Sequence, residues 1–388
     1  MNKGTGDFSR VPVIIENVQE IEAIASKTIE IAKDDWSSNE KSNEFQVNEL
    51  LRTKGQDLVE SYHLYQQYWK NKFFNLHRNE EELNKHFIEI YGLKDELTPD
   101  VPFENITILK EETTIENGKL IFHADEIMAQ FVSYSVGCMF GRYSLDKEGL
   151  ILANQGETLE DYLTKVDKAE SEVTFLPDDD AIIPVLDDEW FEDDIVSRFY
   201  EFLKVTYGEQ DFQKNLDFVE ESLGKNIRNY FVKDFYKDHI QRYKKRPIYW
   251  MFSSPKCSFN VLIYMHRYTP DMLNNILNNY LREFIQKLKA QRNHFDEVQV
   301  KSDNSQEKNH AIKQIEKLNQ MILDCEEYER EILYPLATER IKIDLDDGVL
   351  VNYNKFGKAV KEVSGLNDKK AKKKVRGFDW IDVSEIRD

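Results

Sequence analysis

The stretch RNYFVKDFYKDHIQRYKKRPIYWMFSSPKCSFNVLIYMHRY, residues 228–268, decides the fold class. Residues 226–243 read as a helix in which aromatic and aliphatic positions alternate with basic ones. Pro247, Pro255 and Pro270 then bound two segments, RPIYWMFSS and FNVLIYMHRY. Both are rich in aromatic and branched residues, the composition of strands. A helix running directly into a pair of short apolar strands predicts an α+β protein.

Toward the C-terminus, residues 271–292 and 308–334 read as two long helices. Ile312, Ile315, Leu318, Ile322 and Leu323 give the second one an apolar face, and the polar connector DEVQVKSDNSQEKN separates the two. The pattern predicts a long antiparallel helical hairpin. The tail NDKKAKKKVRGFDWIDVSEIRD holds a basic run, Lys369–Lys374. That run suits either non-specific phosphate contact or a solvated, disordered tail.

Toward the N-terminus the pattern is helical first and mixed later. Residues 13–34 place Val18, Ile21, Ile24, Ala25, Thr28 and Ile31 at three- and four-residue steps, and the polar DDWSSNEKSNEF is expected to interrupt them. Residues 47–91 read as two more helices, closed by Pro99 and Pro102. Two apolar runs flank Asn117-Gly118, a hairpin signal. Residues 125–137 look helical, and WFEDDIVSRFYEFLKVTYG reads as a helix capped by Gly208. The expected organisation is a helical connector (1–100), a mixed α/β domain (101–269), a helical hairpin (270–345) and a C-terminal segment with a basic tail (346–388).

The 388 residues carry a net charge of −20, with 40% hydrophobic and 12% aromatic residues. The core can therefore be sizeable, and no apolar run approaches the ~20 residues a bilayer requires. The opening MNKGTGDFSRVPVIIENV lacks a secretory pattern, and Cys138, Cys257 and Cys325 are too far apart for a disulfide framework or a zinc site. Both features predict a cytoplasmic protein.

Charge is unevenly distributed. Residues 145–224 hold 23 Asp and Glu against six Lys and Arg, whereas residues 225–292 hold 14 Lys and Arg against four Asp and Glu. The second segment can meet phosphate. The first can repel it or meet a basic protein surface.

Several chemistries are excluded. None of the nine prolines adjoins another, so the Asp/Asn-Pro-Pro-aromatic turn of amino-methyltransferases is absent. The glycines of GTG (4–6) and GCMFG (137–141) lack the strand–turn–helix setting that would hold a methyl donor. GCMFG reads instead as a tight turn beside a packed Met-Phe pair. No Pro-Asp site has the downstream acid-x-Lys of a metal nuclease, and the eight histidines show no ligand spacing. Asp178, Asp179 and Asp180 read as a solvated acidic loop.

The strongest candidate surface is therefore the basic one. Arg228, Lys233, Lys237, Arg242, Lys244, Lys245 and Arg246 interleave with tyrosines, and Lys256, His266 and Arg267 follow at the strand ends. Neutralised phosphates release counterions, and an Arg on extended backbone before a proline, such as Arg246, can reach a groove edge. The alternative is an ordinary amphipathic helix leading into a buried strand.

Eight strings add a resemblance: IEIAKDDW (29–36), FFNLHRNEEELNKHFIEIYGLKDELTP (73–99), SYSVGCMFGRYSLDKEGL (133–150), FLPDDDAIIPV (175–185), FEDDIVSRFYEFLKVTYG (191–208), RNYFVKDFYKDHIQRYKKRPIYWMFSS (228–254), IYMHRY (263–268) and IKIDLDDGVLVNY (341–353). In this order they resemble the part after the catalytic domain in the large adenine-specific methyltransferases of BREX phage-defence systems (PglX type). These enzymes are in turn relatives of single-chain restriction-modification enzymes. DDWSSNEKSNEF and the short SSPKCSFNV depart from that pattern. The resemblance implies a helical connector and a target-recognition region gripping double-stranded DNA for adenine N6 methylation. S-adenosylmethionine and the catalytic residues would belong to a catalytic methyltransferase domain outside this chain. Other defence-system proteins are implied as partners. The rival reading is an acidic protein-interaction or DNA-mimic subunit that binds no duplex.

Overall fold

The computed structural model describes residues 12–388, so the GTG glycines lie outside the described residues. The protein is α+β, and its chain separates into two compact units, residues up to 127 and residues 128–388. The sequence-expected borders near 100, 269 and 345 fall inside these units.

In the first unit, α1 (Val18–Ser38) and α2 (Leu58–Ile90) pack together, followed by a hairpin of β1 (Thr113–Glu116) and β2 (Lys119–Phe122). Along α2, Tyr62, Tyr65, Trp69, Phe73 and Leu76 recur at three- and four-residue steps, and all are buried. Asp57 caps this helix by accepting from the Glu60 amide at 2.9 Å. The hairpin turns at Asn117 and Gly118, with φ of 50° and 71°. Two left-handed residues in a row match the right-handed twist of the strands. The polar string expected to interrupt α1 instead supplies its last turn. Ser37 and Ser38 donate their hydroxyls back to the carbonyls of Asp34 and Asp35.

The second unit is built around a three-stranded antiparallel sheet. Helix α3 (Ala124–Met139) enters it, followed by α4 (Leu159–Val166), β3 (Ile182–Pro184), α5 (Ile195–Tyr207) and α6 (Phe212–Leu223). The quoted stretch then forms helix α7, residues 227–242, with one widened turn at Phe231–Phe235, and the strands β4 (Tyr249–Ser253) and β5 (Asn260–Tyr264). Strand order is β3-β5-β4, with Trp250 and Ile182 both opposite Ile263. Every residue of β4 and β5 is buried, so the sheet is covered on both faces. Period-two alternation sorts the neighbours. Tyr249 stacks near Phe140 and His239, while Trp250 and Phe252 meet Phe356. Truncating such an aromatic to Ala costs about 3–5 kcal/mol.

The expected hairpin is present as α8 (residues 272–301) and α9 (residues 305–339). Its turn is shorter than expected, because most of the polar connector is helical and only residues 302–304 lie between the two helices. The buried face also differs by one position. Ala311, Leu318, Ile322 and Cys325 are buried, whereas Ile312 and Leu323 are exposed. Phe259 of the sheet region meets Phe284 of α8 and Tyr328 of α9.

The chain then forms α10 (Gly348–Asn354) and α11 (Lys369–Val375). The basic run is thus a helix, not a disordered tail. Its Ala371 and Val375 are buried, and Asp368 caps it by accepting from the Ala371 amide at 2.8 Å. Between these helices, Val360 bridges Phe252 and the Lys361 amide donates to the Met251 carbonyl at 2.9 Å, extending the sheet beyond β4. Among the described residues, no helix is long and apolar enough to cross a membrane.

Candidate nucleic-acid interface

The basic stretch divides into cations held inside the fold and cations facing water. Arg228 is in the first group. Its Nη1 and Nη2 donate to the two carboxylate oxygens of Asp194 at 3.0 Å each, and Nη1 also reaches the Leu186 carbonyl at 3.1 Å. Asp194 is fully buried and caps α5 through the Val196 amide. Burial raises the Asp194 carboxyl pKa, and the Arg228 charge opposes that rise. Arg267 is also internal, donating to the carbonyls of Asp178 and Asp179 at 2.6 and 2.7 Å. His266 packs on Tyr264, and burial followed by the nearby Arg142 charge pushes its pKa down to about 4. Each of these three expected contact residues thus has partners within the fold: a carboxylate and a carbonyl for Arg228, two carbonyls for Arg267 and an aromatic ring for His266. Arg242 is half-buried.

The exposed group is Lys233, Lys237, Lys244, Lys245, Arg246 and Lys256. Lys233 and Lys237 lie one helical turn apart on α7, and Lys237 has Asp234 at 3.6 Å. Helix α7 ends by turning sharply, with Lys244 and Lys245 at φ of 49° and 61°. Two successive L-residues in the left-handed region carry a steric cost of about 1–2 kcal/mol each. The turn is held by the Lys245 amide on the Ile240 carbonyl at 2.8 Å and by the Arg246 amide on Tyr243 at 2.9 Å. Below it, His239 Nε2 accepts from the amides of Ile248 and Tyr249, both at 3.1 Å, which fixes the exit into β4. The result is a cationic tip at a helix C-terminus, where positive charge also complements the helix dipole.

Lys256 lies on the β4–β5 turn. Asp324 of α9 holds that turn in place. It accepts from Ser254 Oγ at 2.6 Å and from the amides of Lys256 and Ser258 at 3.1 and 3.2 Å. Sequence reasoning missed this role, since a lone Asp on an amphipathic helix carries no local signal.

The acidic segment is partly turned inward. Asp146 pairs with Lys168, Glu157 with Lys165, and Asp187 with Lys317. The aspartate loop is not simply solvated: Tyr280 Oη lies 2.8 Å from Asp193 and 3.1 Å from Asp180. Burial, then the charges of Asp180 and Asp193, pushes the Asp178 carboxyl up to about 8. Among the described residues, no group of three His, Cys, Asp or Glu is placed to hold a metal ion.

The glycine pair at 137–141 does not fit a methyl donor. A Cβ on Gly137 would lie 2.4 Å from the Tyr143 ring, and one on Gly141 would lie 3.0 Å from Leu152. Met139 and Phe140 are fully buried beside them. These glycines permit close packing and leave no cradle.

Comparison with known proteins then supplies the family. The chain is 35% identical over 384 residues to the adenine-specific methyltransferase BrxX of Escherichia coli O9:H4 (strain HS), a match spanning 94% of this chain. The chain is a relative of the BREX-type adenine-specific methyltransferases. A second relative, the adenine-specific methyltransferase PglX of Lacticaseibacillus casei (strain Zhang), is 31% identical over 366 residues, or 90% of this chain. The chain spans 31% and 29% of the length of these two relatives. No family model matches it.

Proposed function

We propose that this chain is the target-recognition part of an adenine-specific DNA methyltransferase of phage defence. In this reading it grips double-stranded DNA and contributes no methyl-transfer chemistry. A catalytic domain carrying S-adenosylmethionine would act on the adenine that this part presents. The protein would work in the cytoplasm, in keeping with its free cysteines.

One observation carries the reading: the exposed Lys244-Lys245-Arg246 tip, held on strained backbone in a relative of adenine-specific methyltransferases. A strained backbone that displays three cations is an arrangement worth its cost when phosphates neutralise them. The DNA-mimic rival draws less support, because several of its carboxylates are paired with lysines or folded against Tyr280.

Fluorescence anisotropy with a random-sequence duplex tests the reading. The chain should bind at low salt, with affinity falling steeply as salt rises. Replacing Lys244, Lys245 and Arg246 with Ala should flatten the log–log salt slope by about 0.9 per lost phosphate contact. An unchanged slope in this variant sinks the assignment of the tip.

A further inference from the structure

A groove of about 870 Å³ lies between the β4–β5 turn and residues 357–376. Its lining carries Lys358, Lys361, Lys369, Lys372 and Arg376. Three acids share it, but two are engaged. Asp368 accepts from the amides of Ala371 and Gly365, and Asp388 accepts from Arg376 at 2.8 Å. Asp388 nonetheless bears on Lys372 and Lys358, and Glu362 bears on Lys372, so the lining sets five cations against three carboxylates. None of the four lysines has a carboxylate within ion-pair distance among the described residues, and Lys361 Nζ has Met251 Sδ at 3.9 Å as its polar neighbour. Lys372 is half-buried, and burial lowers its proton affinity; the Asp388 charge opposes that fall, and the Arg376 and Lys358 charges add to it. An anion in the groove would relieve that arrangement.

Both walls are fixed before any ligand arrives. One is the turn pinned by Asp324. The other is tied to β4 through the Lys361 amide and to α10 through Asn354 Nδ2 on the Leu366 carbonyl at 2.8 Å. The groove also lies near the cationic tip: Gly365, whose amide donates to the lining Asp368, has Lys245 Nζ 3.3 Å from where a Cβ would stand, and the Lys245 charge bears on Asp368.

We propose that this groove takes the sugar-phosphate backbone of a DNA strand, as a second grip continuous with the Lys244–Arg246 tip. The proposal rests on the DNA-recognition reading above. Its occupant is a strand, not a free phosphate compound, because the groove opens beside cations that already face outward.

The test uses the full chain, a fluorescein-labelled random duplex and a salt series. The variant K361Q/K369Q/K372Q should bind about tenfold more weakly, with a slope shallower by about 2–3. The single variant K372Q guards against misfolding and should lower the slope by about 0.9. K373Q/K374Q alters exposed lysines outside the lining and should change affinity less than the triple variant does. If the triple variant keeps the wild-type affinity and slope, the groove assignment fails and the tip reading stands. If the wild type binds no duplex at low salt, both fail. If pyrophosphate displaces the duplex far better than chloride at equal ionic strength, the groove serves a small phosphate ligand and the strand assignment is overturned.

Discussion

Arg228 and Lys245 come from the same basic stretch and carry the same charge, yet the fold uses them in opposite ways. Arg228 lies against a fully buried carboxylate and a backbone carbonyl. Lys245 stands exposed on strained backbone, with Gly365 and the hydrogen-bonded Asp368 near its ammonium group and no buried acid. The difference teaches that a charge count along the chain locates cations but does not assign them. What assigns them is the distance to the nearest buried acid, and that distance is tertiary.

The comparison is most easily broken at Arg228. Replacing it with Ala leaves Asp194 buried and unpaired, and breaking a buried pair from one side costs about 3–5 kcal/mol. Urea unfolding should report a loss of that size. The salt slope of duplex binding, measured on the folded fraction, should not change. A stable R228A protein with a flattened slope would put Arg228 back among the DNA contacts.

The acidic counterpart can be sharpened through pH. The Asp178 carboxyl is pushed up to about 8 by burial and by its aspartate neighbours, above the ordinary value near 3.8. Between those limits the folded chain holds a proton that the unfolded chain has released. Stability therefore falls as pH rises through this window, by at most about 1.4 kcal/mol per unit for one proton. Asp178→Asn keeps an acceptor for the Ile182 amide and removes the titration. It should raise the melting temperature at pH 8 and flatten the profile between pH 4 and 8. An identical pH profile for the variant would mean that the loop is solvated after all.

Much of the fold was legible because the signals are local. Apolar periodicity located α1, α2 and the α8–α9 hairpin, and the Asn117-Gly118 pair located the β1–β2 turn. The paired strands 249–253 and 260–264 followed from branched and aromatic runs bounded by proline. The site was less legible. Arg228 and Arg267 look identical to surface cations until Asp194 and the 178–179 carbonyls are brought beside them. The Lys369–Lys374 run gave no sign that Ala371 and Val375 would anchor it as one wall of a groove, because two apolar residues in a basic string are too few to show a period.

The smallest expected effect separates charge from backbone at the tip itself. Lys244→Ala with Lys245→Ala removes two charges and keeps two L-residues at positive φ. Lys244→Gly with Lys245→Gly removes the charges and also relieves the steric cost, since glycine adopts that region freely. If the tip acts through charge, both pairs should weaken duplex binding equally. Their stabilities should differ, with the glycine pair favoured by about 1 kcal/mol after its greater unfolded-state entropy is offset. Matched losses of affinity at unequal melting temperatures would tie DNA binding to the ammonium groups. A glycine pair that bound less well than the alanine pair would tie it to the shape of the turn, and the contrast between Arg228 and Lys245 would then concern geometry before charge.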